Sequence, residues 1–370
     1  MISKEIIENI LKPADIKING ERSFDIKVYD DRFYSRILVG GALALGESYM
    51  DGWWDCEQLD ECVSRIIRAK SQNKISFNLP NILQYLTALL TNPGTHRKAF
   101  EVGKKHYDLG NDLFEAMLDK RMVYTCAYWK NASNLDEAQE HKLDLVCKKL
   151  NLHEGQRILD IGCGWGSFMK FATEKYRVSV VGITVSKEQL TLVKESCVGL
   201  PIEIRLQDYR DLNEKFDHIV SLGMFEHVGV KNYSVYMNIA KKCLNDGGLF
   251  LLHTIGKDVT TLGVNPWIEK YIFPNGKIPS FLEISRAVEN VFVVEDWHNF
   301  GADYDKTLCA WFLNFNNHWD KLSKKYGERF YKMWKFYLLS CAGAFRARDI
   351  ELWQIVLSPN GVKGGYKSVR

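Results

Sequence analysis

From Arg157 onward, short apolar runs alternate with stretches whose apolar residues recur every three or four positions. Arg157–Ile161, Arg177–Thr184, Ile202–Gln207, Phe216–Leu222 and Gly247–Ile255 have the length and apolar content of buried strands. Helical spacing separates them, from Ser167 after the first, from Ser186 after the second and over Tyr233–Leu244 before the last. Such alternation predicts an α/β fold with a doubly wound sheet. Ligands of these sheets bind beyond the carboxyl ends of the strands, which singles out Gly162, Thr184, Asp208, Glu226 and His253. A helix over Leu135–Leu150, with Leu135, Ala138, Val146 and Leu150 on one face, leads into the first strand.

The two flanks are patterned differently. Residues 1–80 predict a small N-terminal α+β domain, with strand character over 25–29 and 32–38 about an Asp30–Asp31 turn and helices over 42–49 and 59–69. Adjacent Trp53 and Trp54 read as packing residues in preference to a lipid or partner contact. A polar stretch from Ser71 to Pro80 predicts the linker to a catalytic domain over 81–370. An apolar helix over Ile82–Leu90 follows, stopped by Asn92-Pro93-Gly94. Beyond Ile255, an insertion over about 256–290 carries Trp267, Tyr271, Ile272, Phe273 and Phe281 and is expected to cover a substrate pocket. A strand over 291–296, helices over 305–319 and 326–345 and a strand over 351–357 complete the chain.

Between the first strand and its helix the chain reads Asp160-Ile-Gly-Cys-Gly-Trp-Gly166. Glycines at 162, 164 and 166 let the backbone bend sharply and let a ligand lie against it, facing the first amides of the helix. The spacing is not the Gly-x-Gly-x-x-Gly that wraps a pyrophosphate, and Asp160, two residues before the first glycine, repels phosphate. An acid there suits a ligand with a cationic head and ribose hydroxyls, and S-adenosylmethionine is the common cofactor of that kind. The second strand ends in Thr184 where an acid usually grips the ribose, so Thr184 and Gln189 are expected to supply neutral hydrogen bonds.

Composition narrows the picture without redirecting it. At 370 residues, 46% hydrophobic and 26% charged, the chain has the make-up of an ordinary globular protein with room for two cores. Nine cysteines are scattered without a Cys-x-x-Cys pair, which predicts reduced thiols in the cytoplasm and no metal site. The first twenty residues lack the apolar core of a signal peptide, and no run reaches the length of a membrane span. Net charge is +3, but Gly301–Arg370 holds twelve Lys/Arg against six Asp/Glu, a basic end suited to an anionic surface.

Taken in order, Tyr107-Asp-Leu-Gly-Asn-Asp, Tyr124-Thr-Cys-Ala-Tyr-Trp, Leu159-Asp-Ile-Gly-Cys-Gly-Trp-Gly, Gly223-Met-Phe-Glu-His-Val-Gly, Phe300-Gly-Ala-Asp-Tyr-Asp-Lys-Thr-Leu and Ser340-Cys-Ala-Gly-Ala-Phe-Arg-Ala-Arg-Asp resemble the cyclopropane fatty acid synthase family nearly end to end, N-terminal domain included. The resemblance implies a Rossmann-like methyltransferase sheet and methylene transfer from S-adenosylmethionine to the cis double bond of a phospholipid acyl chain. An alkene is a weak nucleophile, so the reaction needs a dry pocket that aligns it with the methyl donor and aromatic faces that tolerate the resulting carbocation. Tyr107, Tyr124, Tyr128, Trp129 and Phe225 are candidates.

By the same resemblance a bound bicarbonate removes the final proton, held by Cys126, Glu226, His253, the backbone of Ile255, and Tyr304. From the residues alone, either Glu226 or His253 serves as the general base. The cofactor is implied to contact Tyr124, Thr125, the turn Ile158, Leu159, Asp160, Ile161, Gly162, Cys163, Gly164, Trp165 and Gly166, then Thr184, Gln189, Asp208 and Tyr209. Cys341 falls at a position the family lists as an active-site cysteine. Direct methyl transfer needs no covalent enzyme intermediate, and small apolar neighbours disfavour a thiolate, so it reads as a packing residue. A homodimer at the inner face of a bacterial membrane is further implied. Three rival readings are a methyltransferase for a soluble amine or phenol, a lipid-binding protein without turnover, and a nucleic-acid methyltransferase. An intact glycine turn with Glu226, His253 and Tyr304 argues against the second, and the lack of an Asn/Asp-Pro-Pro-Tyr loop against the third.

Overall fold

A computed structural model describes residues 2–71, 110–261 and 263–370. The expected linker beyond Ser71, the helix Ile82–Leu90 and Tyr107 lie outside the described residues. The chain forms two compact units, and the division is not linear: residues 262–274 and 304–350, which the sequence reading assigned to the catalytic domain, cluster with the N-terminal segment.

In the first unit, helices Ile2–Leu11, Arg32–Met50 and Leu59–Ser71 join Pro266–Tyr271, Trp319–Tyr326 and Glu328–Arg346 and most of Ala302–Asn317. Strands β1 (Lys27–Val28) and β2 (Trp54–Asp55) form a short antiparallel ladder. Residues 32–38 are helical, contrary to their period-two pattern. The helix continues into Ala42–Tyr49 through a kink at Gly41, and Phe33 and Tyr34 are both buried, with Phe33 5.9 Å from the Trp54 ring. Here a tertiary contact outweighs local alternation. Trp54 is buried, while Trp53 lies under the guanidinium groups of Arg32 and Arg36. Trp267, expected as part of a pocket cover, packs within this unit, 4.8 Å from Phe336 and against Gly46, where a Cβ would meet its ring at 2.3 Å.

A seven-stranded sheet organises the second unit. Its strands are β3 (Arg157–Ile161), β4 (Ser179–Thr184), β5 (Ile202–Leu206), β6 (Phe216–Leu222), β7 (Leu244–Gly256), β8 (Val293–Asn299) and β9 (Glu351–Ser358), in the order β5-β4-β3-β6-β7-β9-β8. Strands β3 to β7 are parallel, and β9 runs antiparallel between β7 and β8. Successive residues of β3 serve opposite faces. Ile158, with Val180 and Val220, packs on Val146 and Phe168 of the helices Leu135–Lys149 and Ser167–Tyr176. Leu159 and Ile161, with Val181 and Ile219, pack on Tyr236 and Ile284 of Tyr233–Lys242 and Phe281–Val288. Both faces are covered, which is why these strands read as continuous apolar runs. The helix Phe281–Val288 within the expected insertion was not foreseen, although Ser280 and Glu283 close a full capping box at its start.

Candidate functional site

Strand β3 ends in the glycine turn. Gly162, Gly164 and Gly166 all have positive φ, at 80°, 55° and 79°, so a side chain at any of them is strained. A Cβ on Gly162 would also strike Met224 at 2.7 Å, whereas one on Gly164 would meet nothing within 4 Å among the described residues. The turn is therefore backed by protein at its first glycine and open at its second. Ile158, Leu159 and Ile161 are core residues, and Cys163 is buried. Trp165 packs on Phe114 at 4.7 Å and on Tyr124 at 6.5 Å. Asp160 is buried with one carboxylate oxygen lacking a hydrogen-bond partner among the described residues. Burial pushes this acid up to about 7, with Lys142 acting in the opposite direction. A buried, under-partnered carboxylate beside an open glycine cradle fits a cofactor carrying cationic groups.

The neutral ribose contacts expected at Thr184 and Gln189 come together: the Thr184 hydroxyl donates to Gln189 Oε1 at 2.7 Å, and both residues are buried. Ser186 caps the helix Lys187–Ser196 by accepting from the Gln189 amide at 3.2 Å. The Asp208 carboxylate is gripped by Arg210 Nε and Nη2 at 2.8 and 2.7 Å, and the Tyr209 ring packs on Tyr236 at 5.0 Å.

Tyr124, Thr125 and Cys126 lie on one irregular segment, bent at Thr125, that the helix Leu135–Lys149 clamps. Gln139 Nε2 donates to the Thr125 carbonyl at 2.9 Å, and Lys142 Nζ donates to the Thr125 hydroxyl at 2.7 Å. Neither Gln139 nor Lys142 was foreseen. Their signal is present, since both occupy buried positions on the apolar face of an amphipathic helix where polar residues are costly.

The second constellation sits at the carboxyl ends of β6 and β7, where Leu222 pairs with His253. Glu226 lies on the short turn Phe225–His227 after β6, and its Oε1 accepts the Ile255 amide at 2.7 Å. The other oxygen, Oε2, is buried without a partner among the described residues, and burial raises the acid to about 7. His253 accepts from Gln354 Nε2 through Nδ1 at 3.3 Å, which assigns the proton to Nε2. That Nε2 is buried and also has no partner among the described residues, and burial with Lys142 and Lys149 nearby holds His253 well below the usual imidazole range, hence neutral. The site thus presents one fixed donor and one carboxyl oxygen, both unsatisfied. Cys126 is fully buried, with its thiol 3.2 Å from the Ala127 carbonyl. The Ile255 amide is committed to Glu226, so the backbone here orients that carboxylate.

Phe300, also unforeseen, lies 6.0 Å from His253 and 5.4 Å from Tyr128, giving aromatic faces beside the histidine. Phe225 instead stacks on Tyr233 at 4.2 Å within the core. Tyr304 follows Asp303, which accepts the Trp129 amide at 2.8 Å. The Tyr304 ring clusters with the first unit and packs on Phe345 at 4.5 Å. The thiol of Cys341, on the helix Glu328–Arg346, is pushed up to about 12 by desolvation. In the same unit Asp60, Asp305 and Cys309 stand within 4.8 Å of one another. The Arg346 guanidinium bonds both carboxylates, supplying the positive charge a metal ion would bring.

A mixed, mostly parallel sheet whose strand β3 ends in a carboxylate and a glycine turn defines the class: this is an S-adenosylmethionine-dependent methyltransferase. The family model described as mycolic acid cyclopropane synthetase matches residues 95–355. Over 365 residues the chain is 52% identical to the cyclopropane-fatty-acyl-phospholipid synthase of Escherichia coli strain K12, covering 99% of this chain and 95% of that one. It is 35% identical over 286 residues to cyclopropane mycolic acid synthase 2 of Mycobacterium leprae, covering 70% of this chain and 93% of that one. Among solved structures it is similar to mycolic acid cyclopropane synthase CmaA1 complexed with SAH and CTAB, with a TM-score of 0.66 and 33% identity over 70% of this chain and 97% of that one. The chain belongs to the cyclopropane synthase family, whose reaction is S-adenosylmethionine-dependent methylene transfer to lipid.

Proposed function

We propose that this protein converts the cis double bond of an unsaturated phospholipid acyl chain into a cyclopropane ring, using S-adenosylmethionine and a bound bicarbonate. The observation that carries this reading is the pair of buried atoms Glu226 Oε2 and His253 Nε2, both without a hydrogen-bond partner among the described residues, at the ends of adjacent strands. Bicarbonate has both an O–H and acceptor oxygens, so it matches an acceptor set beside a donor. Cys126 and Ile255 complete its proposed surroundings.

When bound, S-adenosylmethionine supplies an electrophilic methyl group, and bicarbonate supplies a base. The chain does the rest. The turn from Ile158 to Gly166 with Tyr124 and Thr125 holds the methyl donor, Thr184 and Gln189 take its ribose, and Asp208 and Tyr209 border its base. Tyr128 and Phe300 present ring faces that stabilise positive charge on the acyl chain without becoming nucleophiles. Neutral His253 keeps its proton on Nε2 and donates it as a hydrogen bond, while Glu226 orients the anion from the other side.

The same reading places the enzyme at the cytoplasmic face of a bacterial membrane, as a homodimer in peripheral contact with the bilayer. Supporting it, no helix among the described residues is long and apolar enough to cross a membrane, and the last seventy residues are basic. The small N-terminal domain is a further proposed contact.

The test is incubation of the purified protein with labelled S-adenosylmethionine and vesicles of unsaturated phospholipid, followed by mass spectrometry of the released acyl chains. A chain one methylene heavier with its unsaturation lost is expected, together with a rate that falls in bicarbonate-depleted buffer. An added methyl with unsaturation retained would replace ring closure by simple methylation. Label absent from lipid would point to a soluble acceptor.

A further inference from the structure

Lys142 is one of two fully buried lysines on the helix Leu135–Lys149. Its twin, Lys149, faces a carboxylate, Asp296, at 3.7 Å. Lys142 instead donates to a hydroxyl, that of Thr125, on the segment proposed to hold both the cofactor and the anion. Burying an ammonium whose direct partner among the described residues is a hydroxyl is costly, so the position calls for a nearby counter-charge. Asp119, on the loop before Val123, acts on it electrostatically, as do the site residues Cys126 and Asp160, and it acts on His253. Asp160 in turn has a buried oxygen with no hydrogen-bond partner among the described residues.

We infer that Lys142 is a positioning residue for methyl-donor binding: its ammonium fixes the Thr125 hydroxyl and is the counter-charge that lets Asp160 face the cofactor as a carboxylate. This rests on the reading of Asp160 and Thr125 as cofactor contacts. Burial raises the acid and lowers the lysine, and each charge acts against that shift in the other. The other titratable groups near the pair are Asp119 on the loop before Val123, Cys126, Cys163 on the turn, Tyr236 on its helix and His253 on β7.

The test is calorimetric binding of S-adenosylhomocysteine to the full chain across pH, comparing wild type with Lys142→Met, Lys142→Gln, Thr125→Val and Asp160→Asn. Lys142→Met is expected to bind about tenfold more weakly near pH 7, because losing the cation raises Asp160 by roughly one unit or more and leaves it protonated. The deficit should close toward about pH 9, where Asp160 ionises unaided and the wild-type lysine is itself discharged. Lys142→Gln can keep the Thr125 hydrogen bond without the charge and should show the same pH dependence, and it stands in if the Met variant does not fold. Thr125→Val should weaken binding equally at all pH values. A Lys142 deficit that does not change with pH overturns the counter-charge role, as does wild-type binding in both Lys142 variants while Asp160→Asn binds poorly. If Asp160→Asn binds as wild type does, the cofactor role of Asp160 fails first.

Discussion

The glycine turn and the Glu226–His253 corner stand at the ends of neighbouring strands, yet they are built in opposite ways. The turn is made almost wholly of backbone and lies within ten consecutive residues, its shape set by three positive-φ glycines. The corner is made of side chains from three places, with Glu226 held by the Ile255 amide and His253 by Gln354 on β9. Backbone sites tolerate few substitutions but need no partner, whereas the corner depends on charge states that burial has moved. Binding and chemistry should therefore be separable by mutation.

The sharpest separation is expected at the corner. Glu226→Gln and His253→Ala should each lower turnover by roughly 100-fold or more while S-adenosylhomocysteine affinity stays within about threefold. Loss of affinity, read by calorimetry, would join the two sites and break the comparison. At the turn the reverse is expected of Gly164→Ala. No atom of the described residues stands within 4 Å of the new Cβ, so the folded state bears about 1–2 kcal/mol of backbone strain, while the ligand loses its close approach. Affinity should fall about tenfold or more with a modest drop in melting temperature. Equal losses in stability and binding, beyond that strain, would mean the turn is structural first.

A smaller effect concerns pH. The folded acid at Glu226 lies near 7 against an ordinary 4.5, so the native state holds an extra proton between those values. Stability of the unliganded protein therefore falls as pH rises through that window, and the penalty is fully present above it. Glu226→Gln removes it and should be more stable than wild type by roughly 2–3 kcal/mol above about pH 7, with the gap closing toward pH 5 in denaturant titrations. The smallest effect is expected of Cys341→Ala. A thiol pushed up to about 12 is not a nucleophile at neutral pH, so turnover should stay within about twofold. An abolished rate with unchanged melting would restore its catalytic role.

The succession of strands and helices along the chain from Arg157, the glycine turn and the helix entering it were legible because each rests on residues adjacent in the chain. Ile158, Leu159 and Ile161 are a buried strand by composition alone, and three alternating glycines admit few structures but a tight turn. Residues 32–38 were misread because period-two alternation and a helix buried at Phe33 and Tyr34 leave the same local trace. Gln354 and Lys142 carried a weaker signal, a polar residue inside an apolar strand or helix face, which marks a buried need but not its partner.

By itself the sequence determined the sheet, the class of cofactor its turn accepts, and, through motifs in order, the family. Only the tertiary structure decided that residues 262–274 and 304–350 join the N-terminal unit, that β9 slips antiparallel between β7 and β8 to bring Gln354 to His253, and that Lys142 meets Thr125. The physical reason is distance along the chain: periodicity reports whether a residue is buried, but hydrogen bonds and buried charges are settled by whichever remote groups the packing brings within reach.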